Sequence, residues 1–507
     1  MQRNLLSLAC CLILLGGAGQ QADAQRLLSS QQTKYVDGKV RVKLQPEIAE
    51  RLSKALLPTG ASRVKATYAK TGISQIDRVN QQVRAVRMKR VFPYAGKDEA
   101  RHKAAGLDLW YDISYTSENM SPAAVRNLYK TVPGISYAQR VINYSLDCGS
   151  TSTFIPLSAD AVARAQSATS AMPFNDPLLP DQWHYHNDGS LVGSMAGADI
   201  NVFPAWEQGN TGSKDVVVAI IDGGFQIDHP DLKDNVWVNQ AELNGQPGVD
   251  DDGDGFVDDI YGYNFVANSA NLTSHNHGTH VAGIVGATNN NGIGIGGVAG
   301  GYDGTGGVKM MVCQVYDANA SESADANFAG ALVYAADRGA SIAQCSWGSA
   351  EADYEDQSIS EAVRYFTKYG GGERMNGGLC IFASGNTSNE GNFYPGCMPE
   401  VVAVGATTPM GTIATYTSHG TWVDVSAPGG YSDAGEKYEV LSTLPNNSYG
   451  YMEGTSMACP HVSGVAALIL SKYGNKNFSN ETLRTLLTTS VNRIYFESQE
   501  VANEFKG

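Results

Sequence analysis

Three short segments carry side chains that could together split an acyl bond. Gly454-Thr455-Ser456-Met457-Ala458-Cys459-Pro460 runs into a helix of small residues predicted over 461–470, which sets a serine hydroxyl at a helix start. Amides there lack partners inside the helix and the helix dipole favours negative charge, so the position suits a developing oxyanion. Pro460 reads as a residue of the first helical turn, where a missing N–H costs little. His277-Gly278-Thr279-His280-Val281-Ala282-Gly283 opens a second small-residue helix. The apolar run 216–222 is expected as a buried parallel strand; it ends on Asp222, before Gly223-Gly224. An alcohol is inert until a base takes its proton, and an imidazole of pKa about 6.5 suits that task at neutral pH. Ser456 is therefore the candidate nucleophile and His277 the general base. Asp222 is the acid that would hold the imidazole tautomer. Each alone could be a cap or a turn residue; the case for chemistry rests on all three.

These residues need a frame. Strands are expected over 216–222, 308–316, 341–346, 379–383 and 401–404, and helices over 277–287, 325–338, 359–369, 456–473 and 480–489. Alternating strand and helix predicts an α/β fold, a doubly wound, mainly parallel sheet with helices on both faces. Ligands in such sheets bind at the carboxyl ends of strands, where the three candidates fall.

The order Asp, His, Ser is that of the subtilisin type among the unrelated orders of this triad. The chain resembles the subtilisin family of secreted serine endopeptidases, over roughly 175–490. A fourth segment agrees, since Ala383-Ser384-Gly385-Asn386 after an apolar run resembles the family's oxyanion segment. The resemblance implies that the Asn386 amide donates to the tetrahedral intermediate. It also implies that Ser346-Trp347-Gly348 is the substrate-backbone strand and one wall of the main specificity pocket, with Ala383, Ser384 and Gly385 opposite. Polypeptide substrates would bind by adding a strand to that edge. One departure stands out: the family carries Ser or Thr after the acid, whereas this chain has Gly223, so a hydroxyl that would help hold the acid is missing.

Residues 1–24, with Arg3, an apolar run over 5–15 and Ala22-Asp23-Ala24, read as a cleaved secretory signal, and no other segment could span a bilayer. Residues 25–172 hold 22 Lys and Arg against 11 Asp and Glu, while the remainder after the signal holds 13 against 39. A basic region often means nucleic acid, yet no nucleic-acid motif is present. Its strongest patterns, over 38–44, 107–115, 122–131 and 135–144, suit a small α+β unit. By resemblance 25–147 is an inhibitory, folding-assisting prodomain that the acidic module attracts. Residues 148–172 are the expected linker containing the maturation cleavage, and 173–507 the peptidase domain, expected as a monomer.

Val249 to Asp259 packs six carboxylates into eleven residues, a density that calls for a hard cation. Asp250, Asp252 and Asp254 with Gly255 have the spacing of calcium ligands, with the Phe256 carbonyl next and Asp258 closing the shell. No flanking helices or terminal Glu make it a sensor, so it reads as a calcium loop inserted in the enzyme. By resemblance alone, Asp176, Asp231 and Asn291, with carbonyls near Ile293 and Ile295, look like the family's tight calcium site. No organic cofactor is expected. Among eight cysteines none forms a zinc pattern; Cys380 with Cys397 is the pairing expected, although spacing does not decide it, and Cys459 reads as a packing residue. The competing function is a catalytically silent, calcium-stabilised surface binding module on the same fold.

Overall fold

In the strand β6 (Val217–Asp222), Val218 and Ile220 enter one core cluster and Ala219 and Ile221 another. Successive strand residues point to opposite faces, so a strand apolar on both must be covered on both. The computed structural model, which describes residues 34–56, 69–144, 146, 155–156, 172–318, 326–349 and 351–491, provides that cover. β6 lies inside a seven-stranded parallel sheet with β7 (Gly262–Asn264), β8 (Lys309–Gln314), β9 (Ile342–Cys345), β10 (Leu379–Ala383), β11 (Val402–Thr407) and β12 (Val425–Pro428). The spatial order is β12-β11-β10-β9-β6-β8-β7. Strand order reverses at β6, where β8 pairs on one side and β9 on the other, and Asp222 is its last residue. That is where a doubly wound sheet opens its ligand crevice.

Helix α5 (Asn276–Gly286) and the 19-residue α8 (Thr455–Tyr473) pack side by side on one face. Helices α6 (Phe328–Asp337) and α7 (Gln357–Tyr369) cover the other, and α9 (Asn480–Thr489) closes the end against α8. The elements expected from sequence are all present, with ends shifted by a few residues at most. Several were not anticipated. β7 is only three residues long, β12 ends on a proline, and a hairpin of β13 (Val440–Leu444) and β14 (Ser448–Met452) forms a separate small sheet. Its turn puts Asn446 and Asn447 at φ 63° and 56°, a left-handed conformation that asparagine tolerates.

The N-terminal unit is a four-stranded antiparallel sheet ordered β2-β3-β1-β4, from β1 (Tyr35–Leu44), β2 (Ala85–Arg90), β3 (Trp110–Tyr115) and β4 (Ile135–Ile142). It carries the helices α1 (Pro46–Leu56), α2 (Ser74–Val83), α3 (Glu99–Ala104) and α4 (Pro122–Lys130). This is the small α+β unit expected; the sequence Ala85-Val86-Arg87-Met88-Lys89-Arg90 hid β2, an edge strand with a mostly solvated side-chain set. The proposed signal lies outside the described residues. So does most of the linker, apart from β5 (Ile155–Pro156), which pairs with β14. Among the described residues no helix is long and apolar enough to cross a membrane.

Candidate active site

β6 delivers Asp222 to the crevice floor, and α5 begins beside it. His277 Nδ1 lies 2.9 Å from both Asp222 oxygens. A Cβ on Gly278 would come within 2.3 Å of the Gly224 carbonyl and 3.1 Å of Asp222 Oδ1, so only glycine lets the helix approach this closely. The Gly223 amide donates to Asp222 Oδ1 at 2.7 Å. The absent hydroxyl at 223 has a physical explanation: a Cβ there would meet His275 Cβ at 2.5 Å and Cγ at 2.6 Å. His275 caps α5, its Nδ1 accepting the His277 amide at 3.1 Å, and burial holds its imidazole down to about 4. It is therefore neutral near pH 7, with the Nδ1 lone pair free to cap the helix.

Ser456 is the second residue of α8 and only 4 % exposed, against 5 % for His277 and 1 % for Asp222. Its hydroxyl lies 3.4 Å from the Ser346 carbonyl, just beyond β9. α8 starts at Thr455, so Pro460 falls in the second turn and not, as expected, in the first. A proline there leaves the carbonyl four residues earlier without its helical donor. That carbonyl belongs to Ser456, and Ser346 Oγ donates to it at 2.7 Å. The irregularity thus anchors the nucleophile's backbone to the central sheet.

Asn386 follows β10. Its Oδ1 accepts the Thr455 amide at 2.9 Å and the Thr455 hydroxyl at 2.7 Å, which commits its oxygen and turns Nδ2 the other way. Thr455 Oγ1 also receives the Gly385 amide at 3.2 Å. Sequence reasoning passed over Thr455, although it stands next to Ser456 in the motif. Beside this floor Gly348, Ala383, Ser384 and Gly385 line a cavity, as expected, together with Ser349, Thr387, Phe393, Gly396 and Ser418. Ser346 and Trp347 do not line it. Ser346 is tied to Ser456, and the buried indole of Trp347 donates inward to the Ile221 carbonyl at 2.9 Å.

Residues 213–505 match the subtilase family and residues 51–189 the N-terminal of subtilase family. The chain belongs to the subtilase family. It is 35% identical over 291 residues to a thermophilic serine proteinase of Bacillus sp. (strain AK1), covering 57% of this chain and 59% of that one. To subtilisin-like protease 1 of Plasmodium berghei (strain Anka) it is 30% identical over 302 residues, or 56% and 47% of the two chains. It spans about half the length of the curated relatives it matches. Fervidolysin from Fervidobacterium pennivorans, described as a keratinolytic enzyme related to subtilisin, shares the fold with a TM-score of 0.55 at 20% identity, over 87% of this chain and 56% of that one. The serine protease of Aeromonas sobria, solved with its chaperone, gives 0.50 at 25% identity over 66% and 60%.

In this subtilase the acidic loop is shared out differently from its spacing. Glu242, Asp250 and Asp252 each bring a carboxylate oxygen within 4.8 Å of the others. Glu242 lies outside the motif, on the one-turn helix Gln240–Leu243, and also collects the amides of Asp251, Asp252 and Asp258. Asp254 turns away to a buried ion pair with Arg338 at the end of α6. Asp258 caps the Gly248 amide with both oxygens, at 3.0 and 2.9 Å, and Phe256 buries its ring against Tyr263 and Tyr334. Three converging carboxylates are hard oxygen donors, which fits Ca²⁺. In the second set, Asp176 accepts the Asn290 and Asn291 amides, while Asp231 accepts Asn291 Nδ2 at 2.7 Å and the Ile295 amide at 2.9 Å. The Ile293 amide donates to Asn291 Oδ1. The five residues therefore meet around one loop. Burial pushes the Asp176 carboxyl up to about 7 and Asp231 well above its usual range.

The expected Cys380–Cys397 disulfide is absent: both are free thiols, as are Cys313, Cys345 and Cys459. Cys380 is enclosed in β10 within the apolar core, where it packs as a small hydrophobe. Cys459 does likewise, its thiol 3.2 Å from Gln344 Oε1.

The N-terminal unit sits on α6 and α7. Lys43 Nζ and Trp110 Nε1 both bind the Glu361 carboxylate, at 2.6 and 2.8 Å. Gln139 donates to Asp356, the N-cap of α7, at 2.6 Å, and Arg101 and His102 share Asp337 at 2.6 and 2.7 Å. Lys97 reaches the acidic loop at Asp252, 3.1 Å away. Past β4, the buried Tyr144 ring packs on both Phe328 and Trp347, at 4.8 and 5.3 Å between centroids.

Proposed function

We propose that the chain is a secreted, calcium-stabilised serine endopeptidase made as a zymogen. The observation that carries this reading is the His277 imidazole centred on both Asp222 oxygens at 2.9 Å, at the start of a helix that packs against α8, whose second residue is Ser456. The Asp222 bond places the proton on Nδ1 and leaves Nε2 as the base. Nε2 takes the Ser456 proton as Oγ attacks the substrate carbonyl, and Asn386 Nδ2 with the Ser456 amide receives the oxyanion. His277 then protonates the leaving amine, and water repeats the sequence on the acyl-enzyme. The substrate is a polypeptide lying along Ser346-Trp347-Gly348 as an added strand.

The N-terminal unit acts as the intramolecular inhibitor. Tyr144 packed against Trp347 and the ion pairs to α6 and α7 support a unit that stays docked on the peptidase module until cleavage within 148–172. Calcium would be held by Glu242, Asp250 and Asp252, and by Asp176, Asp231 and Asn291, supplying positive charge to converging carboxylates. A silent binding module is favoured only by Gly223, and His275 accounts for that glycine. Expression of the full chain tests the reading. The parent should cleave itself within 148–172 and digest casein, whereas Ser456→Ala should remain one inactive chain. Equal processing by the two would refute it.

A further inference from the structure

The pocket beside the nucleophile is small. Its walls are Gly348, on the segment that anchors Ser456 through Ser346, and Ala383 to Gly385, which leads into Asn386. A substrate docked on that edge must place between these walls the side chain of the residue whose carbonyl is attacked. The cavity there is about 10 Å³, room for roughly one water-sized sphere. Phe393 is one of its lining residues. Its ring is buried and lies edge-on to Trp422 at 6.2 Å. Trp422 is itself fixed by donating to the Gly391 carbonyl at 2.6 Å. A buried ring packed on a fixed indole does not swing aside cheaply for a larger guest.

We propose that Phe393 determines substrate choice by admitting only a small side chain, alanine or serine, at the residue whose carbonyl is attacked. The inference rests on the peptidase reading and names its substrate class. A methyl or hydroxymethyl group fits the space left; leucine, phenylalanine and arginine would have to displace the ring. The lining also has a polar component. Ser384 Oγ is buried with no hydrogen-bond partner among the described residues, and the Thr387 and Ser418 hydroxyls meet at 3.0 Å. A serine side chain in the substrate would satisfy Ser384, since a buried hydroxyl left unpaired is costly.

The test uses the self-processed enzyme and peptides differing only at this residue. kcat/KM should be at least about tenfold higher for alanine and serine than for leucine, phenylalanine or arginine. In Phe393→Gly, and less so in Phe393→Ala, the phenylalanine-to-alanine ratio should rise by at least about tenfold. Ser456 labelling by a fluorophosphonate verifies that each variant has folded. An active, labelled parent enzyme that cleaves after phenylalanine as fast as after alanine overturns the pocket proposal and leaves the peptidase reading intact. Labelled Phe393 variants whose ratio does not move overturn it as well. Absence of both labelling and cleavage in the parent overturns the peptidase reading, and this proposal with it.

Discussion

The crevice floor and the acidic loop are two polar regions of one molecule that are held together by different physics. On the floor, apart from the His277 imidazole on the Asp222 carboxylate, the groups are fixed by backbone atoms or by a short neutral side chain on a rigid element. Asp222 takes the next residue's amide, Ser456 is tied through its carbonyl to Ser346, and Asn386 is gripped by Thr455. In the loop Asp252 and Asp254 are held by charge brought from afar: Arg338 at the end of α6 and Lys97 from the N-terminal unit. The first arrangement stores preorganisation and the second stores stability. Damage to the floor should therefore cost rate with little loss of fold, and damage to the loop the reverse.

The largest effect expected on the floor is from Asp222→Asn, which keeps the shape and presents the wrong tautomer to His277. kcat should fall by about 10⁴-fold with melting barely changed. Asn386→Ala should cost about 10²–10³-fold in kcat, the magnitude known for subtilisin's own oxyanion donor, with KM little altered. Thr455→Val acts on kcat through Asn386, so its kcat loss should be smaller, about tenfold, and should shrink when Asn386 is already alanine. On the loop, Arg338→Met strands the buried Asp254 carboxylate. Unfolding of the uncut Ser456→Ala chain should become easier by about 3 kcal/mol, while labelling of Ser456 in the otherwise intact enzyme persists. Removal of calcium should shift the same way. Saturation at about 100 times Kd is worth about 2.7 kcal/mol, and Glu242→Gln should shrink the melting difference between calcium and chelator. A large rate loss from Arg338→Met, or unfolding caused by Asp222→Asn, would break the division between the regions.

The same division decides what could be read beforehand. Floor residues are announced by local motifs because helix starts and strand ends position them within a few residues. The α5 and α8 starts and the doubly wound sheet follow from small-residue and apolar runs. The loop misled because spacing describes only what a segment offers. Whether Asp254 faces a cation or Arg338 depends on a residue 84 positions away, and Glu242 joins the cluster from before the motif. Pro460 was misplaced by a turn because Gly454 and Thr455 start the helix without a side-chain cap. Phe393 carried no signal at all; its place in the pocket depends on how Trp422 and Gly391 pack.

Mass spectrometry of the enzyme after reaction with a fluorophosphonate probe tests the central claim most directly. The account predicts one modified peptide, bearing the adduct on Ser456, and its loss when His277 is replaced by alanine. An adduct on another residue, or Ser456 labelling undiminished in His277→Ala, would contradict it.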